Sequence, residues 1–295
     1  MSRRYDPVTP PVALTIAGSD SGGGAGIQAD LKTMTTHGVF GTSVVTATTA
    51  QNTRGVHDVH PIPEDHVASQ YDAVVDDFPV AAIKTGMLAT ADVVETVTDR
   101  LADFDGPVVV DPVMVAATGD RLLSREAEAA YDDLIDEATL VTPNVDEAEV
   151  LVGESIETPA DAEAAGRELI ARGASAALVK GGHLDDGGDD SENADDVLDT
   201  LVVGDSFDGD EAGADDEAGA ASAADAIQLI NPRIDTDATH GSGCTLSSAI
   251  AARLARDERL REAVTAAIGD MSEAIRRGYD VASGPGAVNP TLMDE

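Results

Sequence analysis

Short apolar segments alternate with amphipathic segments along most of the chain. The apolar segments are rich in Val, Ile, Ala and Thr and have no polar face, which is typical of strands buried on both sides of a sheet. Strands are predicted at residues 12–17, 43–50, 80–84, 107–110, 138–141, 174–179, 197–203 and 227–230. Helices are predicted at residues 64–77, 90–101 (with Thr90 as its N-cap), 124–135, 159–172, 242–255 and about 258–279, and two more open within 18–33 and 142–149. This alternation predicts an α/β fold with a central, mostly parallel sheet flanked by helices on both faces.

A polar or glycine-rich motif follows the carboxyl end of most of these strands. Because ligands of parallel sheets bind beyond the carboxyl ends of the strands, we expect the motifs to meet in one crevice. This expected convergence is stronger evidence for a ligand site than any one motif. The motifs begin at Gly18, Gln51, Thr85, Asp111, Thr142, Lys180 and Gly241.

The last of these motifs, Gly241-Ser242-Gly243-Cys244, stands directly before an Ala-rich helix. Glycines allow the first backbone N–H groups of a helix to point the same way, and the helix dipole makes that end positive. The motif therefore predicts an anion hole suited to phosphate, with Cys244 in the first turn, where thiol pKa values tend to fall. A helix start with a small buried cysteine remains the alternative, since such glycine motifs are weak evidence alone.

The glycine-rich segment 18–33 lies between a predicted strand and a predicted helix. It lacks the G-K-[ST] of a Walker A loop, and its glycines do not have the spacing of a dinucleotide-binding loop. The segment is interpreted as a ligand-binding turn, with a merely flexible turn as the alternative. Residues 51–55 are predicted to form another polar turn.

Composition changes the picture in one respect, the charge. The chain has 18 Lys and Arg against 56 Asp and Glu, a net charge of −38. This balance argues against nucleic-acid binding, which needs basic patches. Since the only lysines are Lys32, Lys84 and Lys180, the acidic, lysine-poor surface predicts adaptation to high salt. A single cysteine and no long apolar run predict a soluble protein of the cytoplasm that does not bind membranes.

The domain organisation is predicted from the same patterns. Residues 1–11 are polar and Pro-rich and are expected to be a flexible leader, and residues 290–295 a tail. One domain is predicted over residues 12–289. It is interrupted at about 204–225 by an acidic, low-complexity insertion that lacks the ligand spacing of a Ca²⁺ loop and is expected to be solvated.

Seven motifs, in register, resemble those of the hydroxymethylpyrimidine and phosphomethylpyrimidine kinases of thiamine synthesis, in the ribokinase-like superfamily. The resemblance covers residues from about 12 to 289, apart from the insertion. It implies a ribokinase-like fold, ATP and Mg²⁺ as cofactors, a homodimer, and phosphorylation of 4-amino-5-hydroxymethyl-2-methylpyrimidine and then of its monophosphate. A role for K⁺ is left open. The motifs are IAGSDSGGGAGIQADLKT, AQNTRGV, KTGML, DPVM, TPNVDEA, VKGGHL and THGSGCTLSSA.

The resemblance implies a pyrimidine-binding set. Asp30 and Gln51 match positions that hydrogen-bond the aminopyrimidine, for which a carboxylate and an amide are suitable. Gly18 allows the backbone to approach the ring, and Met87 and Val113 would form its walls. For Asp30 a surface helix carboxylate, and for Met87 ordinary core packing, are the alternatives.

The resemblance also implies a phosphate and metal set. Asn144 and Glu147 match a motif near Mg²⁺ and the phosphates, and Asp111 is a further metal candidate, with water-mediated contacts in keeping with Mg²⁺. Lys180 would neutralise phosphate charge, unless it is a packing or surface lysine. The anion hole, Gly241 to Cys244, would receive the transferring phosphoryl group, with Cys244 as the base for the first phosphorylation only.

Three further interpretations complete the prediction. His240 is expected to be structural, not an acid or base. A pyridoxal or pyridoxine kinase of the same superfamily is the nearest alternative function, and Gln51 in its A-Q-N-T context favours the pyrimidine. A non-catalytic pyrimidine sensor is the alternative from another class, and the presence of Cys244 and Glu147 argues against it.

Overall fold

A computed structural model describes residues 6–114, 130–181, 196–204 and 225–292. Leader residues 1–5, the first half of the predicted helix 124–135, most of the acidic insertion and residues 293–295 lie outside the described ranges. The strands are β1 Val12–Ser19, β2 Phe40–Asn52, β3 Gly55–Pro61, β4 Val80–Thr85, β5 Val108–Val110, β6 Leu140–Val141, β7 Ala176–Val179, β8 Asp196–Val203 and β9 Asp225–Pro232. The helices are α1 Gly26–Thr36, α2 Glu64–Val75, α3 Ala91–Leu101, α4 Tyr131–Asp136, α5 Val145–Val152, α6 Pro159–Ala171, α7 Ser242–Leu254 and α8 Leu260–Arg276, with a 3-10 turn at Pro290–Leu292.

The strands of the described ranges form one sheet in the order β3-β2-β1-β4-β5-β6-β7-β8-β9. The six strands from β2 to β7 are parallel, and β3, β8 and β9 add antiparallel strands at the two ends. The predicted fold class, a mostly parallel sheet with helices, is therefore confirmed.

Side chains of β1 show why helices cover both faces of the sheet. Successive residues of a strand point to opposite faces. Ala13 packs into a hydrophobic cluster with residues of α7 and α8, such as Ile250, whereas Leu14 and Ile16 pack into a second cluster with residues of α3, such as Val94. Each face of the sheet thus has its own hydrophobic core.

The prediction for residues 51–55 was wrong in part. Strand β2 continues to Asn52, and the chain then returns as β3, an edge strand that the sequence pattern did not predict. Most residues of β3 are partly or fully exposed, so its sequence has neither an apolar run nor a clear alternation. The turn itself is reduced to the residues between Asn52 and Gly55.

Within the described ranges, no helix combines the length and the hydrophobicity that crossing a membrane requires. The carboxyl ends of the parallel strands lie at one edge of the sheet. A bridge between Asn144 and Lys180 joins the segments that follow β6 and β7 there.

Candidate active site

A cavity of about 500 Å³ lies beyond the carboxyl ends of the central strands. It is lined by residues of most of the motifs predicted to converge, contributed by β1, β2, α5, α7 and the loops that follow β4, β5 and β7. The predicted site residues that line it are Gly18, Gln51, Met87, Asp111, Val113, Asn144, Glu147, Lys180, Gly241, Ser242, Gly243 and Cys244. The structure thus brings the predicted set together, with one exception.

The exception is Asp30, whose carboxylate does not reach the cavity. Asp30 has no exposed surface, and Lys84 Nζ lies 3.0 Å from each of its two carboxylate oxygens. Thr15 and Ser248 donate further hydrogen bonds to it, of 2.6 and 2.7 Å. Because these protein donors already satisfy the carboxylate, the interpretation of Asp30 as a direct substrate contact is corrected to a buried ion pair beneath the site.

The part of the cavity that was predicted to contact the pyrimidine is built around Gly18 and Gln51. A Cβ on Gly18 would lie 2.3 Å from Met87 Cε, so a larger residue there would displace the methyl end of the methionine. Thr46 fixes the loop that carries Met87 by donating a 2.6 Å hydrogen bond to the Met87 carbonyl. Ser21 Oγ donates to the Gln51 carbonyl and accepts from the Gln51 N–H, both at 2.8 Å. The backbone that presents the Gln51 amide is therefore held at two points.

The helix predicted after Gly241 is present as α7, and its first turn is the candidate anion hole. Gly241 has a φ of 80°, in the left-handed region that favours glycine, and a Cβ there would lie 1.9 Å from the Gly24 carbonyl oxygen. The first N–H groups of α7 line the cavity through Ser242, Gly243 and Cys244. The Ser242 N–H donates to the Thr239 carbonyl at 3.1 Å, whereas the N–H groups of Gly243 and Cys244 have no partner within the helix and are available to an anion.

Cys244 differs from its prediction in its acidity. Burial raises the pKa of the thiol to about 11, and this effect exceeds the opposite one of the nearby Lys84 charge. The carboxylates of Asp30 and Asp111 raise the pKa further, while a hydrogen bond from the Gly26 N–H lowers it. The expected lowering of the pKa by the helix start is therefore wrong, because desolvation of the thiolate dominates.

The part of the cavity that was predicted to bind phosphate holds a lysine between carboxylates. Lys180 Nζ lies 3.3 Å from Asp111 Oδ1, and Thr142 and Ser247 donate hydrogen bonds of 3.4 and 3.3 Å to the same carboxylate. Burial would lower the pKa of Lys180, but the charges of Asp111 and Glu147 raise it above its ordinary value. A Cβ on Gly243 would lie 3.3 Å from Lys180 Nζ, so the ammonium group lies beside the anion hole.

Asn144 and Glu147 form a capping box at the start of α5. The Asn144 side chain accepts a 2.8 Å hydrogen bond from the Glu147 N–H, and the Glu147 carboxylate accepts a 2.9 Å bond from the Asn144 N–H. Burial and the Asp111 charge raise the pKa of Glu147, and the Lys180 charge lowers it. The net result is a pKa of about 7. The predicted i, i+3 pair is thus also a structural cap.

The carboxylates of Asp111 and Glu147 suit a nucleotide-bound Mg²⁺. The described residues hold no group of three or more His, Cys, Asp or Glu arranged for a metal. Mg²⁺, however, is typically held by one or two carboxylates together with substrate phosphates and water. The Asp111 charge lies close enough to raise the pKa of Glu147, so two carboxylates lie near each other beside the anion hole and fit that requirement.

The cavity lining also includes residues that were not predicted as site residues, among them Asp20 and His240, the second of which was expected to be structural. Their side chains form a hydrogen bond of 3.1 Å between His240 Nε2 and Asp20 Oδ2. Both lie within motifs that the sequence singled out, but nothing in their spacing indicates that residues so distant in the chain meet.

Comparison with known proteins places the chain in a family. A family model described as phosphomethylpyrimidine kinase matches residues 20–289. The chain belongs to the phosphomethylpyrimidine kinase family. A curated member of this family, the hydroxymethylpyrimidine/phosphomethylpyrimidine kinase of Streptomyces coelicolor, is 45% identical over 98% of this chain and 97% of its own length.

Solved structures agree with the family and with the ribokinase-like fold. A phosphomethylpyrimidine kinase from Clostridium difficile superposes with a TM-score of 0.71 at 36% identity, over 90% of this chain and 99% of the other. A pyridoxal kinase from Staphylococcus aureus, in complex with AMP-PCP and pyridoxal, gives a TM-score of 0.81 at 29% identity, over 97% and 95% of the two chains. The phosphomethylpyrimidine kinase fold is thus shared with a kinase that binds an ATP analogue.

Proposed function

We propose that this enzyme transfers the terminal phosphoryl group of ATP to the hydroxymethyl group of 4-amino-5-hydroxymethyl-2-methylpyrimidine, and then to the phosphate of the product, in thiamine biosynthesis. The observation that carries the proposal is one cavity with two chemically distinct ends. Gly18, Gln51 and Met87 line one end, and the anion hole with Lys180 lines the other. The curated names of the relatives support both phosphorylations.

Phosphoryl transfer asks mainly for positioning and for neutralisation of charge. The N–H groups of the anion hole and the Lys180 ammonium group supply positive potential at the site of transfer. Asp111 and Glu147 would hold Mg²⁺, which supplies further charge neutralisation when bound with ATP. A role for Mg²⁺ is part of the proposal and is supported by the carboxylate pair.

The two phosphorylations place different demands on Cys244. In the first, a bond forms between the hydroxymethyl oxygen and the γ-phosphorus as the bond to ADP breaks, and the hydroxyl proton passes to the thiolate form of Cys244. In the second, the attacking group is a phosphate oxygen, which already carries negative charge and needs no strong base. Cys244 is therefore proposed as the base for the first step alone.

Pyridoxal phosphorylation is the second candidate function. It is favoured by one observation, the higher TM-score of the pyridoxal kinase from Staphylococcus aureus. Sequence identity favours the pyrimidine, and so does the side-chain amide of Gln51, which can pair with both a ring nitrogen and an exocyclic amine.

The test is an assay of ADP release with Mg²⁺ in molar KCl, in which hydroxymethylpyrimidine, its monophosphate and pyridoxal are offered separately. We expect turnover of both pyrimidines, and Cys244→Ala to lose the first phosphorylation while it keeps the second. Turnover of pyridoxal alone would assign the enzyme to vitamin B6 metabolism. Tight binding of the pyrimidine without ADP release would contradict catalysis and revive the sensor hypothesis.

A further inference from the structure

The carboxylate of Asp20 organises the glycine-rich loop between β1 and α1. Asp20 Oδ1 accepts a 2.7 Å hydrogen bond from the Gly22 N–H, and Oδ2 accepts bonds of 3.0 and 2.9 Å from the Gly24 and Ala25 N–H groups. The carboxylate is 4% exposed. Burial raises its pKa, but the hydrogen bonds from His240 and from the backbone lower it below its usual range. Asp20 is thus an ionised acceptor at the base of this loop.

The fourth donor to this carboxylate comes from the other side of the cavity. His240 Nε2 donates to Asp20 Oδ2 at 3.1 Å, and His240 directly precedes the anion hole. The His240 backbone is fixed in turn, because its N–H donates to the Gly286 carbonyl and its carbonyl accepts from the Val288 N–H, both at 3.1 Å. The imidazole therefore joins the glycine-rich loop to a segment that is already held in place.

The two loops also fit too closely for side chains between them. A Cβ on Gly24 would lie 2.6 Å from His240 Cδ2, and a Cβ on Gly241 would lie 1.9 Å from the Gly24 carbonyl oxygen. Steric fit brings the loops together, but it does not determine their angle. The Asp20–His240 hydrogen bond is directional and is strengthened by the charge of the carboxylate, so it can supply that orientation.

We propose that Asp20 and His240 are positioning residues that hold the glycine-rich loop against the anion hole and so set the rate of phosphoryl transfer. His240 lies next to the N–H groups at the transfer site. The pyrimidine end is held by other contacts, those of Ser21 with Gln51 and of Thr46 with Met87. Loss of the His240 side chain is therefore expected to lower kcat and to leave the KM for the pyrimidine nearly unchanged.

The experiment compares the wild type with His240→Ala and His240→Gln. The amide of glutamine can place an N–H donor near the position of Nε2, whereas alanine cannot. We expect His240→Ala to lose about 10- to 100-fold in kcat, the size of effect that a misplacement of about 1 Å produces. His240→Gln is expected to recover most of that loss. Replacement of His60, an exposed histidine of β3 outside the cavity, by the same two residues is the matched control.

A second measurement is independent of turnover. Amide hydrogen exchange, followed by mass spectrometry on peptides that cover residues 20–26 and 239–246, should be faster in His240→Ala than in the wild type and unchanged in the His60 variants. Thermal melting verifies that each variant is folded. The double variant Asp20→Asn/His240→Ala should lose no more kcat than the more impaired single variant, since the two residues act as one unit.

The positioning role rests on the proposed function, and the two can fail separately. The kinetic comparison uses whichever of hydroxymethylpyrimidine and pyridoxal the wild type phosphorylates, so a different substrate overturns the proposed function alone. Unchanged kcat and unchanged exchange in His240→Ala would overturn the positioning role. So would a glutamine variant as impaired as the alanine variant, or a rise in the pyrimidine KM at constant kcat.

Discussion

At the scale of single residues, the environment of Cys244 decides its chemistry. Because burial raises the pKa of the thiol to about 11, the thiolate is a small fraction of the enzyme at neutral pH. As long as the pH is below the pKa, that fraction increases about tenfold for each unit by which the pH rises. If Cys244 accepts the hydroxymethyl proton, we expect kcat for hydroxymethylpyrimidine to increase by about tenfold per unit from pH 7 to pH 9, as measured by initial rates of ADP release.

The second substrate supplies the control. The monophosphate attacks through an oxygen that has lost its proton by pH 7, since the second pKa of such a phosphate ester is about 6. Its phosphorylation should therefore change little between pH 7 and pH 9, and Cys244→Ala should not alter it. Equal slopes for both substrates, or a flat profile for the first, would contradict Cys244 as the base.

The chemistry of Asp30 could not be predicted from its position in the sequence. Its partners Lys84 and Ser248 are 54 and 218 residues away, and only the fold reveals that they meet. A carboxylate in a glycine-rich motif is compatible with both a ligand contact and a buried ion pair. By contrast, the role of Gly241 at the start of a helix could be predicted, because a glycine directly before a helix has few other roles.

At the scale of elements, the start of α7 depends on the close fit of two loops. Gly241→Ala would force a Cβ into the Gly24 carbonyl oxygen, at 1.9 Å, at a backbone φ of 80°. We expect this variant to lose at least about tenfold in kcat through displacement of the anion hole, and at least about 1 kcal/mol of stability. Initial rates and thermal melting measure the two effects.

Gly269 offers a matched control for the same substitution. It is an exposed residue of α8, and a Cβ there would meet no heavy atom within 4 Å. Gly269→Ala should stabilise the protein by about 0.5–1 kcal/mol, since alanine loses less conformational entropy in a helix, and it should leave turnover unchanged. If Gly241→Ala matched it in both measurements, the close fit of the loops would have no role in catalysis.

Local rules predicted the helices better than the edge strands. Thr90 caps α3 as expected, with a 3.3 Å hydrogen bond from the Val93 N–H, because capping depends on residues near in the chain. The helix that opens after Thr142 is confirmed as well, although its capping box was missed. Strand β3 was missed because an edge strand needs no apolar face, and its pairing with β2 is a tertiary contact.

At the scale of the whole molecule, the fold was predictable because its central strands are buried on both faces. An apolar run followed by a polar motif is a pattern that few folds besides parallel α/β sheets produce. Convergence of the motifs followed from the direction of the strands. The Asp20–His240 hydrogen bond joins residues 220 positions apart and could not be predicted in this way. The direction of the strands determines which loops are neighbours but not which side chains meet.

The charge of the molecule leads to a prediction about its stability in salt. With a net charge of −38, the carboxylates of the chain repel one another. Each of the three lysines already contacts an oxygen atom close to the site. Lys32 binds the Gly23 carbonyl, Lys84 binds Asp30, and Lys180 lies beside Asp111. The Debye length shortens from about 10 Å at 0.1 M salt to about 3 Å at 1 M. We therefore expect the midpoint of thermal unfolding to increase by several degrees between 0.1 and 1 M KCl.

The form of the salt dependence separates screening from the exclusion of salt from the protein surface. Screening acts mostly at the first additions, so the midpoint should rise steeply at low KCl and then flatten. Exclusion of a kosmotropic salt strengthens burial in proportion to its concentration, and sulfate is then more effective than chloride. At equal ionic strength, potassium sulfate and KCl should therefore give nearly the same midpoint up to about 0.5 M if screening dominates. A linear rise with a clear advantage of sulfate would show that the acidic surface contributes little to the response.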